Sequence, residues 1–305
     1  MEKHNWTPRE AGIAYSLTFA ALAAGSIAAA TALGIICTFT GIPFFTDGEI
    51  VFSSGFAELI YSGVLYSCIA LTLIMFARKT NTDFISATRM NRKISAGTGL
   101  KSVLAAVLVF FAFLPLATLF IKLIYMTGFK EFTTFEEMTS GSMSVREYII
   151  SIITVAVLPA FVEEFALRGI VAQGLSRYGT AKAVLISAAL FSLLHGNPQQ
   201  TVFQFFGGAV CAYLFLKTDS LWPGIIVHFV NNFIAVTYEF ILYNFNLGTN
   251  ALNVFRYIFF DCDFKYAIFI VPAAALLLWL ILALRKRIIP KRCRTRIRKP
   301  IRFTE

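Results

Sequence analysis

The chain has 305 residues, 57% of them hydrophobic and 14% charged, with a mean hydropathy of +0.71 and a net charge of +10. Soluble domains carry about a quarter charged residues to keep a surface that faces water, whereas the apolar residues here fall in runs long enough to span a bilayer core of roughly 30 Å. A water-soluble all-α protein is excluded, because one core could not hide so many long runs; the expected fold is an all-α, polytopic membrane helix bundle of about eight transmembrane helices.

The apolar runs lie near 11–37, 55–77, 102–126, 147–170, 181–196, 200–216, 221–243 and 265–284. The first contains a small-residue stretch, Ala20–Ala32, with plausible cleavage sites. It is too long for a usual signal-peptide core, so a retained helix is expected. Asp47 and Glu49 follow it. Segment 78–101, after the second run, carries Arg78, Lys79, Arg89, Arg92, Lys93 and Lys101 against the single acid Asp83. Glu131, Glu136 and Glu137 follow the third run, and Asp261 and Asp263 precede the last. The fifth and sixth runs are short for full spans and are expected to tilt or to lie among their neighbours. From Arg285 to Arg302 the chain has ten Lys/Arg residues and no acid before Glu305. With no aromatic residues interleaved for base stacking, this tail reads as a partner of anionic lipid headgroups and not of nucleic acid. Loop charge then places 78–101, the tail and both termini in the cytoplasm. Cys37, Cys68, Cys211, Cys262 and Cys293 are scattered, with neither CxxC nor a Cys/His pair, so they suggest no disulfide framework and no structural zinc site.

Charged side chains inside membrane helices cost about 2.5–3.5 kcal/mol each on insertion scales and usually pair or face a cavity. Glu58, Lys122 and Glu239 lie near predicted helix ends, where snorkelling explains them. The fourth run is different: it reads Pro159-Ala160-Phe161-Val162-Glu163-Glu164-Phe165-Ala166-Leu167-Arg168. Glu164 and Arg168, four apart, share a face and are expected to pair. Glu163 points about 100° away and is left free to act. His195 closes the fifth run in Phe191-Ser192-Leu193-Leu194-His195, and His228 lies inside the seventh in His228-Phe229-Val230-Asn231-Asn232. Asn232 shares a face with His228, while Asn231 is placed on another. A carboxylate and an imidazole can deprotonate a water, and neutral donors can hold the oxyanion of a tetrahedral intermediate. Glu163, His195 and His228 could equally ligate a divalent metal such as zinc. The run boundaries set His195 toward the outer end of its helix, away from Glu163 and His228.

The ordered motifs Glu-Glu-x3-Arg, Phe-x3-His and His-x3-Asn resemble those of the CAAX-protease and bacteriocin-processing (CPBP) family of intramembrane endopeptidases. The resemblance covers roughly Tyr148 to Phe245. It implies that Glu163 and His195 activate water, that His228 and Asn232 form the oxyanion site, and that Glu164 and Arg168 support the helix. It divides the chain into N-terminal helices and a cytoplasmic loop (1–147), a CPBP-like catalytic core (148–245), a last transmembrane helix (246–284) and the basic tail (285–305). It leaves the role of a metal open, and the chain has no HExxH. The implied partner is a membrane-anchored peptide or protein: a CAAX-type substrate, a bacteriocin leader or a signal propeptide, in a membrane of bacterial style. The competing readings are a catalytically silent scaffold or immunity protein and an ion-coupled carrier. The intact motifs argue against the first, and the lack of an inverted repeat argues against the second.

Overall fold

The computed structural model describes residues 5–41, 45–46, 49–50, 55–128, 143–244 and 270–282. The described chain is almost wholly helical: α1 (Pro8–Thr40), α2 (Gly55–Lys79), a short α3 (Phe84–Ala87), α4 (Ala96–Met126), α5 (Val145–Tyr178), α6 (Thr180–Leu194), α7 (Pro198–Thr218), α8 (Trp222–Asn244) and α9 (Ile270–Leu282). A two-residue antiparallel pair, β1 (Phe45–Thr46) and β2 (Glu49–Ile50), follows α1. All eight predicted apolar runs are helices. α1, α2, α4, α5, α7 and α8 are long and apolar enough to cross a membrane. The sixth run is thus longer than expected, because its helix begins at Pro198 and takes in the polar turn Gln199-Gln200. α6 is short, as expected, and the tail and Cys262 and Cys293 lie outside the described residues.

Large apolar side chains point outward along these helices: Ile27 is 70% exposed and Met75 67%. The buried set is mostly apolar but also includes Arg168, Glu164, Ser187, His228 and Asn231. Lipid is as apolar as leucine, so helices in it associate through close packing of small residues and through polar contacts. α1 shows the first device. Its buried residues Ala11, Ala14, Thr18, Ala21, Gly25 and Ala29 recur every three or four positions and form a smooth seam, which meets Gly174 of α5 at Ala11 and Leu65 and Cys68 of α2 at Gly25. Capping boxes, Thr7 with Glu10 and Ser144 with Glu147, start α1 and α5.

α5 is the central helix and touches α1, α2, α6, α7 and α8. It is not uniform. Ile152–Val157 and Phe165–Ala172 open into π-helix on either side of Leu158–Glu164. Such widened turns sit preferentially at functional sites. They leave carbonyls needing donors from neighbouring helices, and two arrive: Ser187 Oγ donates to Leu167 O at 3.0 Å, and Asn232 Nδ2 to Val155 O at 2.8 Å. The second has a clear cause. Pro159, just past the first π segment, has no N–H to offer the carbonyls behind it, that of Val155 among them.

One end of the bundle is closed by segments distant in sequence. Arg89, buried and at φ +65°, pairs with Asp219 at 3.1 Å and also donates to Asn5 Oδ1 and Ser86 O. Trp222 Nε1 donates to Met90 O at 3.1 Å and Ser220 Oγ to Arg92 O. Gln173 bridges Trp6 N and Ala87 O.

Candidate active site

Glu163 and Glu164 end the α-helical stretch between the two π segments, and as neighbours they leave the helix in different directions. Glu164 and Arg168 are both fully buried, with Arg168 Nη1 2.8 Å from Glu164 Oε1. A buried ion pair needs further partners to offset its desolvation, and these are present. Arg168 Nη2 donates to Gly208 O at 3.2 Å, its guanidinium lies 4.3 Å over the Phe191 ring, and His228 Nδ1 is 3.1 Å from the same Glu164 oxygen.

Two glycines make room for this pair. A Cβ at Gly224 would stand 2.5 Å from Glu164 Oε2, and one at Gly208 would meet Phe191 at 2.9 Å and Arg168 Nη2 at 3.2 Å. Phe191 is the hub on the α6 side. Its face receives the guanidinium, the His195 and His228 rings meet it edge-on at 4.8 and 5.6 Å, and its carbonyl pairs with His195 Nδ1 at 2.9 Å. That explains why an aromatic sits four residues before His195.

Glu163 is where the two imidazoles converge. Its Oε2 lies 4.0 Å from His195 Nε2 and 3.9 Å from His228 Nε2, with no hydrogen-bond partner among the described residues. Its Oε1 accepts a hydrogen bond from Tyr66 of α2 at 3.3 Å. Carbonyl and carboxylate oxygens only accept, so the Nδ1 atoms of both histidines carry hydrogens. In the neutral form this leaves each Nε2 lone pair facing Glu163. The three side chains are 6–18% exposed, nearly enclosed but reachable.

The structure therefore brings together Glu163, Glu164, Arg168, His195 and His228. The expected separation of His195 from the other two is corrected. α5 continues to Tyr178 and α6 begins at Thr180, so Glu163 and His195 are equally far along the chain from the turn at Gly179 and lie level across the hairpin. Asn232 lines a cavity about one water molecule in size, together with His228, Phe191, Phe203, Gln204 and Gly207. One of its N–H groups is engaged by Val155 O. Asn231, expected on another face, lines the same cavity and keeps a buried Oδ1 without a partner among the described residues. Glu58, expected to snorkel, instead accepts hydrogen bonds from Ser151 and Thr154 of α5. Tyr66 carried no sequence signal, being one aromatic in an apolar run.

A tetrahedral zinc with bonds of about 2.0–2.2 Å would hold its ligand atoms about 3.3–3.5 Å apart. The spacings at Glu163 Oε2 are 3.9–4.0 Å, and among the described residues no three His, Cys, Asp or Glu side chains are grouped to hold a metal. The residues as they stand do not fit zinc. They do fit one water, which at about 2.8 Å from two atoms 4 Å apart subtends an angle near 90°.

Residues 145–234, which span α5, α6, α7 and half of α8, match the family model of Rce1-like type II CAAX prenyl endopeptidases. No curated protein and no solved structure matches the chain. The family implies a protease, and with six helices able to cross a membrane it makes this an integral membrane protein. The match over residues 145–234 supports a CPBP family intramembrane protease.

Proposed function

We propose that this protein hydrolyses a peptide bond in a membrane-anchored peptide, with a water activated by Glu163 and His195. The observation that carries the reading is the bare Glu163 Oε2, buried between two imidazole nitrogens at 3.9 and 4.0 Å inside the family-matched helices. A water bound between Glu163 Oε2 and His195 Nε2 gives a proton to the carboxylate as its oxygen attacks the scissile carbonyl carbon. The carbonyl π pair moves onto oxygen. His228 and Asn232 face this oxyanion, His228 donating from Nε2 when protonated, with Glu164 at its Nδ1 to balance the charge. Collapse breaks the C–N bond, and the leaving nitrogen takes the proton from Glu163. Arg168 pairs with Glu164 in an apolar interior, and the cavity beside His228 and Asn232 has room for a water on the oxyanion side. No step uses a metal.

The substrates that suit the reading are CAAX-type peptides, bacteriocin leaders and signalling propeptides, in a bacterial membrane with both termini and the lipid-bound tail in the cytoplasm. The test is cleavage of a quenched, lipid-anchored peptide library by detergent-purified protein. Glu163→Ala and His195→Ala are each expected to abolish cleavage at unchanged yield and helicity. Cleavage surviving in Glu163→Ala would sink the mechanism.

A further inference from the structure

Tyr66 lies on α2, well outside the matched segment 145–234, yet its hydroxyl is the single described hydrogen-bond donor to Glu163. A glutamate carboxylate turns freely about its last bond, and its two oxygens are equivalent until something distinguishes them. Here Tyr66 holds Oε1 at 3.3 Å, and the opposite oxygen, Oε2, is thereby turned toward both imidazoles. The arrangement can be made only from outside the α5–α8 core. Those four helices supply the carboxylate and both histidines, but the partner that orients the carboxylate comes from the helix packed on their other side. Two other helix tyrosines place their hydroxyls on uncharged groups, Tyr15 on Leu190 O at 3.1 Å and Tyr148 against Thr237 Oγ1 at 2.9 Å.

We infer that Tyr66 is a positioning residue for the peptidase reaction, fixing which oxygen of Glu163 meets the water. The assignment rests on the function proposed above. It adds that α2 belongs to the catalytic apparatus and that the four matched helices alone would carry a poorly aligned base.

Two measurements test it, one independent of catalysis. In the first, the unfolding midpoints in detergent of wild type, Tyr66→Phe, Glu163→Ala and the double variant form a thermodynamic cycle. A direct bond predicts that Tyr66→Phe lowers the midpoint in wild type and has little further effect when Glu163 is already Ala, which has no acceptor for the hydroxyl. In the second, steady-state cleavage by Tyr66→Phe should show kcat reduced about 10- to 100-fold with KM within a factor of two, the pattern of a misaligned base. Additive midpoints overturn the contact. Coupled midpoints with unchanged kcat, or a change in KM alone, overturn the positioning role. Coupled midpoints with no cleavage by wild type overturn the peptidase reading and the role together, while leaving the contact standing.

Discussion

Asn232 is placed to do two things, and one experiment separates them. Its Nδ2 donates to the Val155 carbonyl that Pro159 cannot serve, and its side chain lines the cavity beside His228. Replacing Asn232 by Ala removes a hydrogen bond worth about 1 kcal/mol net and leaves a carbonyl unpaired, a penalty of about 1–3 kcal/mol. Interhelical hydrogen bonds in membranes average nearer 0.6 kcal/mol, so a loss of about 1–2 kcal/mol is expected. In a Pro159→Ala background the new N–H can reach Val155 O along the helix, and the same substitution should cost about 0.5 kcal/mol or less. Reversible unfolding in mixed micelles, followed by tryptophan fluorescence, measures both costs, and their difference should be close to 1 kcal/mol. Cleavage should not recover with stability. If Asn232 also steadies the oxyanion, the double variant stays about 10²- to 10³-fold slow in kcat. Equal stability costs in the two backgrounds would refute the argument from Pro159. Recovery of cleavage alongside stability would refute the oxyanion role.

Gly224→Ala puts a methyl 2.5 Å from Glu164 Oε2 and should lower cleavage about 100-fold, whereas Gly63→Ala, with nothing within 4 Å, should behave as wild type; turnover under one set of conditions compares them. Glu164→Gln strands a fully buried Arg168 and should cost about 3–5 kcal/mol, seen as a collapse of the folded peak in size-exclusion chromatography, while Glu163→Gln elutes normally and is inactive. A strong chelator should change the cleavage rate by less than about twofold, since the spacings around Glu163 are wider than zinc ligation requires.

Much of this architecture is legible without coordinates, because each apolar run is its own helix and the i, i+4 spacing of Glu164 and Arg168 states their pairing directly. What escapes has physical reasons. Assigning Asn231 to a face away from His228 treats the two asparagines as alternatives, yet positions three and four along a helix flank the same face, and both line the cavity. Hydropathy misplaces the depth of His195 because α5 runs past its apolar stretch to Tyr178, through residues that an apolar run does not count. Glu58 looks like a residue of a helix end, and only the tertiary arrangement shows that its acceptors meet Ser151 and Thr154. Tyr66 could not be singled out, since an aromatic in a membrane helix is ordinary until its hydroxyl is seen to reach a carboxylate.

The closed end of the bundle bears on how the chain is built. Its parts come from Asn5 and Trp6 ahead of α1, from Arg89 to Arg92 before α4, from Gln173 late in α5, and from Asp219 and Ser220 before α8 with Trp222 at its start. Synthesis is vectorial and helices are inserted in order, so the Arg89 guanidinium waits without Asp219 until six apolar helices, α1, α2, α4, α5, α6 and α7, have been made. Closure is thus a late event that reports on the whole assembly. A chain that stalls before Asp219 would display Arg89 without its carboxylate and the Met90 and Arg92 carbonyls without their donors at that end, the kind of surface that quality-control proteases recognise.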